Sequence, residues 1–248
     1  MIKSFAHFIN EETDQTDKFL KDLAIKLIHK IRTTKLPESE DYVELAGMQF
    51  TEPIAFDLIL LLRKDSSADI KTDSHFKGLP WEELNYSEYG YSIDANTYLN
   101  RRSGYPKIVI NLIVDSTREP ELYSRLFARV LDILTHETTH VEQSGVDREP
   151  FNQLPSNPNS RELAKKSYKY FLLDDEVESM VTGMYASAKQ QKKPLDVVFD
   201  EYLQPFIKSK YITPTEYLKV MQKWVTFAAQ FYPDVKFSSK VDQIINSL

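Results

Sequence analysis

The chain of 248 residues contains no cysteine. That absence removes disulfides, thiolate metal ligands and cysteine nucleophiles in one step, and it fits a reducing compartment. Positive charge is also in short supply: 31 lysines and arginines face 37 aspartates and glutamates, for a net charge of −6. A nucleic-acid-binding surface would show the opposite excess, so no nucleic-acid partner is expected. The lysine-rich "KQQKK" at 189–193 reads as a solvated helix end. Long hydrophobic runs are missing too. Stretches such as "FDLILLL" at 56–62 are far too short to span a bilayer. The start, "MIKSFAHFINEETDQTDKF", reaches acidic residues too early for the apolar region of a signal peptide. A soluble, cytoplasmic protein with no membrane partner is the expectation; packaging into a virion or other assembly would leave no trace in these features.

What is present is ordinary globular material, 42% hydrophobic and 27% charged, in a length near the upper end of one domain. Phe19, Leu20, Leu23, Leu27 and Ile31 recur at helical spacing, which predicts an amphipathic helix over 16–32. The short apolar run at 55–64 reads as a buried strand. Tyr91, Ile93, Ala95, Thr97 and Leu99 alternate with polar residues, and "KIVINLIVD" at 107–115 follows a turn-rich loop, so the two read as an antiparallel hairpin. A long helix is expected next, with Ser116 or Thr117 as N-cap and Glu119 and Pro120 in its first turn. A second helical region covers roughly 163–192, and further helices close the chain. One of these opens at "TPTE", where Thr213 and Glu216 are spaced for a capping box. The expected architecture is a single α+β domain over 1–248, mostly helical, with a small antiparallel sheet preceding the long helix.

That helix carries "ILTHETTHVEQ" at 133–143, which holds two of the chain's five histidines. Residues four apart stack on one helix face, so His136 and His140 can aim both imidazoles at one point, as a tetrahedral zinc requires. Glu137 lies about 100° round from His136, placed to act on a water at the metal without ligating it. The apolar positions Leu126, Phe127, Val130, Leu134 and Val141 put Glu137 inside the buried face and His140 at its margin. A buried glutamate there needs a polar purpose, which the metal site provides. A di-iron reading of the Glu137–His140 spacing fails for want of a second such unit: Ser4, Lys26 and Thr72 precede His7, His29 and His75 by three.

Two histidines leave a catalytic zinc short of a third protein ligand. The extended motif with a third histidine is excluded, because Gln143 stands where it has glycine and Val146 where it has histidine. A carboxylate downstream is the remaining source. In "FLLDDEVESMVTGMYASA" at 171–188 the stripe Val177, Met180, Val181, Met184 and Ala188 has Glu176 on one margin and Glu178 on the other, so helix phase leaves both open. The order His136-Glu137-x-x-His140, then Glu-x-Glu-small, resembles the glutamate-zincin metallopeptidases, including compact bacterial and phage-encoded forms. The resemblance spans roughly 107–188. In that family the ligand is the glutamate three positions before the small residue, which Glu176 and Ser179 match here. Met180 departs from the commonest form, where an acidic or amide residue stands four after the ligand and serves as outer partner to a histidine.

The resemblance implies a zincin-like fold and Zn²⁺ held by His136, His140 and Glu176. It also implies peptide-bond hydrolysis of a peptide or protein substrate, with Glu137 as general base. By the same resemblance the strand at 107–114 would edge the cleft and pair with an extended substrate. Tyr168, Tyr170 and Tyr185 are candidate transition-state donors, each with packing as the alternative role. The competing function is a zincin-fold binding or assembly protein that keeps zinc without turnover. Oligomeric state leaves no mark in the sequence.

Overall fold

A computed structural model describes residues 12–35, 42–65, 88–99, 106–118, 122–144 and 168–241. The chain divides into two compact units, Met1–Val141 and Glu142–Leu248. In the first, helix α1 (Glu12–Thr33) is followed by strands β1 (Val43–Phe50), β2 (Phe56–Asp65), β3 (Tyr91–Leu99) and β4 (Pro106–Asp115), then helix α2 (Tyr123–Ser144), which runs through the boundary. The four strands form one sheet in the order β1-β2-β4-β3.

Alternation decides which face of this sheet is dry. Phe56, Leu58, Leu60 and Leu62 of β2 and Ile108, Ile110, Leu112 and Val114 of β4 are all buried. Their register, Leu58 opposite Ile108 and Leu60 opposite Ile110, stacks them on one side. Both helices of the unit lie on that face. Phe19 of α1 meets Phe50 and Phe56 edge-on at 5.1 and 6.4 Å, beside the buried α1 residues Leu20, Leu23, Leu27 and Ile31, and α2 reaches the same face at Thr97.

Three expectations need correction. The sheet is mixed, because β2 and β4 run parallel while β1 and β3 pair antiparallel to them; alternation reports which face is buried and carries no strand direction. The strand β1 was not anticipated. A register shift between Glu44 and Ala46 buries Leu45 and Ala46 in succession, which breaks the alternating pattern. Finally, Ser116 and Thr117 do not cap α2. Asp115 Oδ1 accepts from the Thr117 amide at 2.9 Å and from its hydroxyl at 2.6 Å, a side-chain turn that ends β4. Glu119 and Pro120 lie outside the described residues, and α2 begins at Tyr123.

The second unit holds the end of α2, a single 3₁₀ turn (Tyr170–Leu172), and helices α3 (Asp174–Gln191), α4 (Leu195–Lys208) and α5 (Pro214–Phe231). Its core gathers on Trp224, whose ring meets Phe199 at 5.3 Å and Phe171 at 6.0 Å. The buried indole N–H donates to Phe171 O at 2.9 Å, so the large apolar ring carries no unmet donor into the core. The helices after residue 195 therefore complete a core. The anticipated capping box opens α5: Thr213 and Glu216 exchange side-chain to main-chain bonds and Pro214 occupies the first turn. Among the described residues, no helix is long and apolar enough to cross a membrane.

Candidate metal centre

Helix α2 is buried almost all round, an unusual setting for a stretch with three threonines and two histidines. The threonines resolve it locally. Thr135, Thr138 and Thr139 return their hydroxyls to the carbonyls of Leu131, Leu134 and Thr135 at 2.8–2.9 Å, so each buried hydroxyl is satisfied by its own helix. One turn before the motif, Arg129 and Asp132 form an ion pair. Burial raises the Asp132 pKa, opposed by Arg129, and burial likewise pushes the Tyr91 hydroxyl on β3 up to about 12.

On this helix His136 and His140 bring their Nε2 atoms to 3.1 Å, with ring centroids 4.7 Å apart and planes at 86°. Two imidazole nitrogens bound to one tetrahedral zinc at 2.0–2.1 Å would be about 3.3 Å apart, so little movement separates this pair from a shared ion. Glu137 is buried at 6% exposure. Its Oε2 accepts from Thr97 Oγ1 at 2.7 Å, and its Oε1 lies 4.0 Å from His136 Nε2.

On α3, Glu176 sits in the first turn and is 5% exposed. His136, His140 and Glu176 each offer one donor atom, and these atoms lie within 4.8 Å of one another. Two neutral imidazoles and a carboxylate are a donor set that suits a divalent transition metal, so the residues fit an ion in both spacing and chemistry. The partly exposed histidines and the buried glutamate could bind a metal ion.

Glu178 is occupied otherwise. The Gln143 amide donates to Glu178 Oε2 and to Asp175 O, each at 3.1 Å. Ser179, the small residue of the second motif, donates back to Asp175 O at 2.9 Å and faces Gln143 Oε1 at 3.5 Å. Gln143 is thus a buried clamp on the turn that carries Glu176. Sequence reasoning used it only to reject the extended motif; the signal on offer was an amide three residues past His140, one helix turn beyond the donor pair.

Strand β4 is flanked by β2 and β3, with its main chain in ladders on both sides, so residues 107–114 border no open edge. Among the described strands, the terminal one near Glu137 is β3. Tyr185 donates to Asp234 and stacks on Tyr232 at 4.2 Å, and Tyr170 meets Phe171 edge-on at 5.8 Å, contacts of packing residues. Comparison of the chain with protein-family models, curated proteins and solved structures returned no match.

Proposed function

We propose that the protein is a zinc-dependent metallopeptidase of zincin-like architecture, in which His136, His140 and Glu176 hold the metal and Glu137 is the general base. The observation that carries this reading is a second buried carboxylate held beside a three-donor group. A purely structural zinc is closed by a fourth ligand and has no use for such a neighbour. Zinc is taken from the His136-Glu137-x-x-His140 order, and two imidazoles with one carboxylate match a catalytic zinc that keeps one position open.

Zinc bound there supplies a Lewis acid that polarises a carbonyl and makes a water acidic enough to attack near neutral pH. The chain's own part is positional and acid–base. His136 and His140, stacked one turn apart on a buried helix, bring their Nε2 atoms together from one side. Glu137 presents Oε1 on the histidine side, where it takes a proton from the attacking water and delivers it to the leaving amine. The peptide substrate class rests on the motif order. Among the described strands β3 is terminal in the sheet, and it takes the substrate-pairing role first expected of β4.

Elemental analysis and hydrolysis of a mixed peptide library by the wild type and Glu137→Gln test the reading. Zinc at one per chain in both proteins is expected, with turnover in the wild type reduced about 10²- to 10⁴-fold in the variant. Equal turnover would remove Glu137 from the mechanism. Bound zinc with no turnover in the wild type would favour a metal-holding binding protein.

A further inference from the structure

We infer that Thr97, on the edge strand β3, is the positioning residue for Glu137, fixing which carboxylate oxygen faces the histidine pair. The inference rests on the peptidase reading and extends it to a residue forty positions before the motif.

A glutamate side chain has three rotatable bonds, and one carried on a helix has no intrinsic reason to hold a single orientation. In this molecule Thr97 Oγ1 donates to Glu137 Oε2 at 2.7 Å, a short bond between a hydroxyl and a carboxylate. The same hydroxyl lies 3.2 Å from the Glu137 main-chain oxygen. One hydrogen serves both contacts, so the donor sits over the root and the tip of one side chain together. With Oε2 turned toward the sheet, Oε1 is left on the side of His136 Nε2, 4.0 Å away.

Thr97 is suited to be a fixed reference. Its β-branched side chain is restricted about χ1. Its strand is tied to β4 through the pair Thr97–Ile108, and Ile108 is fully buried. The base is therefore indexed to the sheet as well as to its own helix. Valine has the same shape without the donor, whereas serine keeps the donor without the methyl group, so the two substitutions separate hydrogen bonding from packing.

The experiment uses zinc-loaded full-length protein and one fluorogenic peptide chosen from those the wild type cleaves. Thr97→Val should keep its zinc and hold KM within about two-fold, while kcat falls about 10- to 100-fold, as expected for a misplaced reacting group. Thr97→Ser should recover most of the lost kcat. Crystal structures of the two variants give a readout independent of turnover: the Glu137 carboxylate should rotate or split in Thr97→Val and keep its direction in Thr97→Ser. Wild-type kcat in Thr97→Val, or equal impairment in Thr97→Ser, would overturn the assignment while leaving the peptidase reading intact. A zinc-loaded wild type that cleaves no peptide would remove that reading and this assignment with it.

Discussion

The two helices that carry the candidate metal donors are held in different ways. Helix α2 supplies His136 and His140 from consecutive turns, and its buried threonines bond to carbonyls of the same helix. Helix α3 supplies Glu176 from its first turn, and that turn is fixed by residues far along the chain. Gln143 holds Asp175 O and Glu178, while Lys223 donates to Leu172 O at 2.6 Å and to Asp174 at 2.7 Å. Helix geometry brings one donor pair together, whereas the turn that carries the third donor is gripped by contacts across more than thirty residues of sequence. A site assembled in this manner should tolerate changes along α2 between its functional residues and be sensitive to changes in the groups that grip α3.

The largest effects should follow from deleting a donor on either helix. His140→Ala and Glu176→Ala should each lose stoichiometric zinc on dialysis, read by elemental analysis, whereas Glu178→Ala should retain it. Retention in Glu176→Ala with loss in Glu178→Ala would break the comparison at its centre. Next in size is Gln143→Ala, which removes the clamp without touching a ligand. Competition with a chromophoric chelator should show zinc affinity down about 10- to 100-fold, the usual consequence of losing an outer support. An unchanged affinity would mean that α3 holds Glu176 without help.

A smaller effect is expected at the start of α5, a helix whose hold is local. The Thr213 main-chain amide and hydroxyl lower the Glu216 pKa. A folded-state pKa below the unfolded value contributes stability that is present above the unfolded pKa and lost as pH falls through the folded one. Thr213→Ala should therefore cost about 0.5–2 kcal/mol at neutral pH in urea unfolding, and the deficit should shrink as the medium is acidified below the carboxylate range. The smallest change should come from Thr138→Val on α2. The hydroxyl it removes bonds carbonyls of its own helix, so stability should move by no more than about 1 kcal/mol. A loss of several kcal/mol would show that α2 leans on this threonine for more than its own hydrogen bond.

The same contrast explains how much could be read from the residues. The apolar runs of β2 and β4, the alternation in β3, the stripe in α1 and the capping box of α5 are local patterns, and each placed its element correctly. The histidine pair is local as well, since a four-residue spacing carries its own geometry. Strand β1 was hidden because its bulge destroys the two-residue period. Strand direction was hidden because β2 and β4 show the same alternation whether parallel or antiparallel. The start of α2 was misplaced because Asp115 takes the amide and hydroxyl of Thr117 into a turn, using the residue that resembled a cap. Helix phase could not separate Glu176 from Glu178, because the contact that engages Glu178 comes from Gln143, more than thirty residues earlier. Thr97 escaped notice for a similar reason: it reads as one more alternating strand residue until its hydroxyl is seen on Glu137.

X-ray absorption at the zinc edge of the metal-loaded protein tests the central claim most directly. Two imidazoles and light-atom oxygen or nitrogen neighbours at about 2.0–2.2 Å are predicted, with one imidazole fewer in His140→Ala given one zinc per chain and measured before any dialysis. A spectrum with no imidazole scattering, or one unchanged by that substitution, would contradict it.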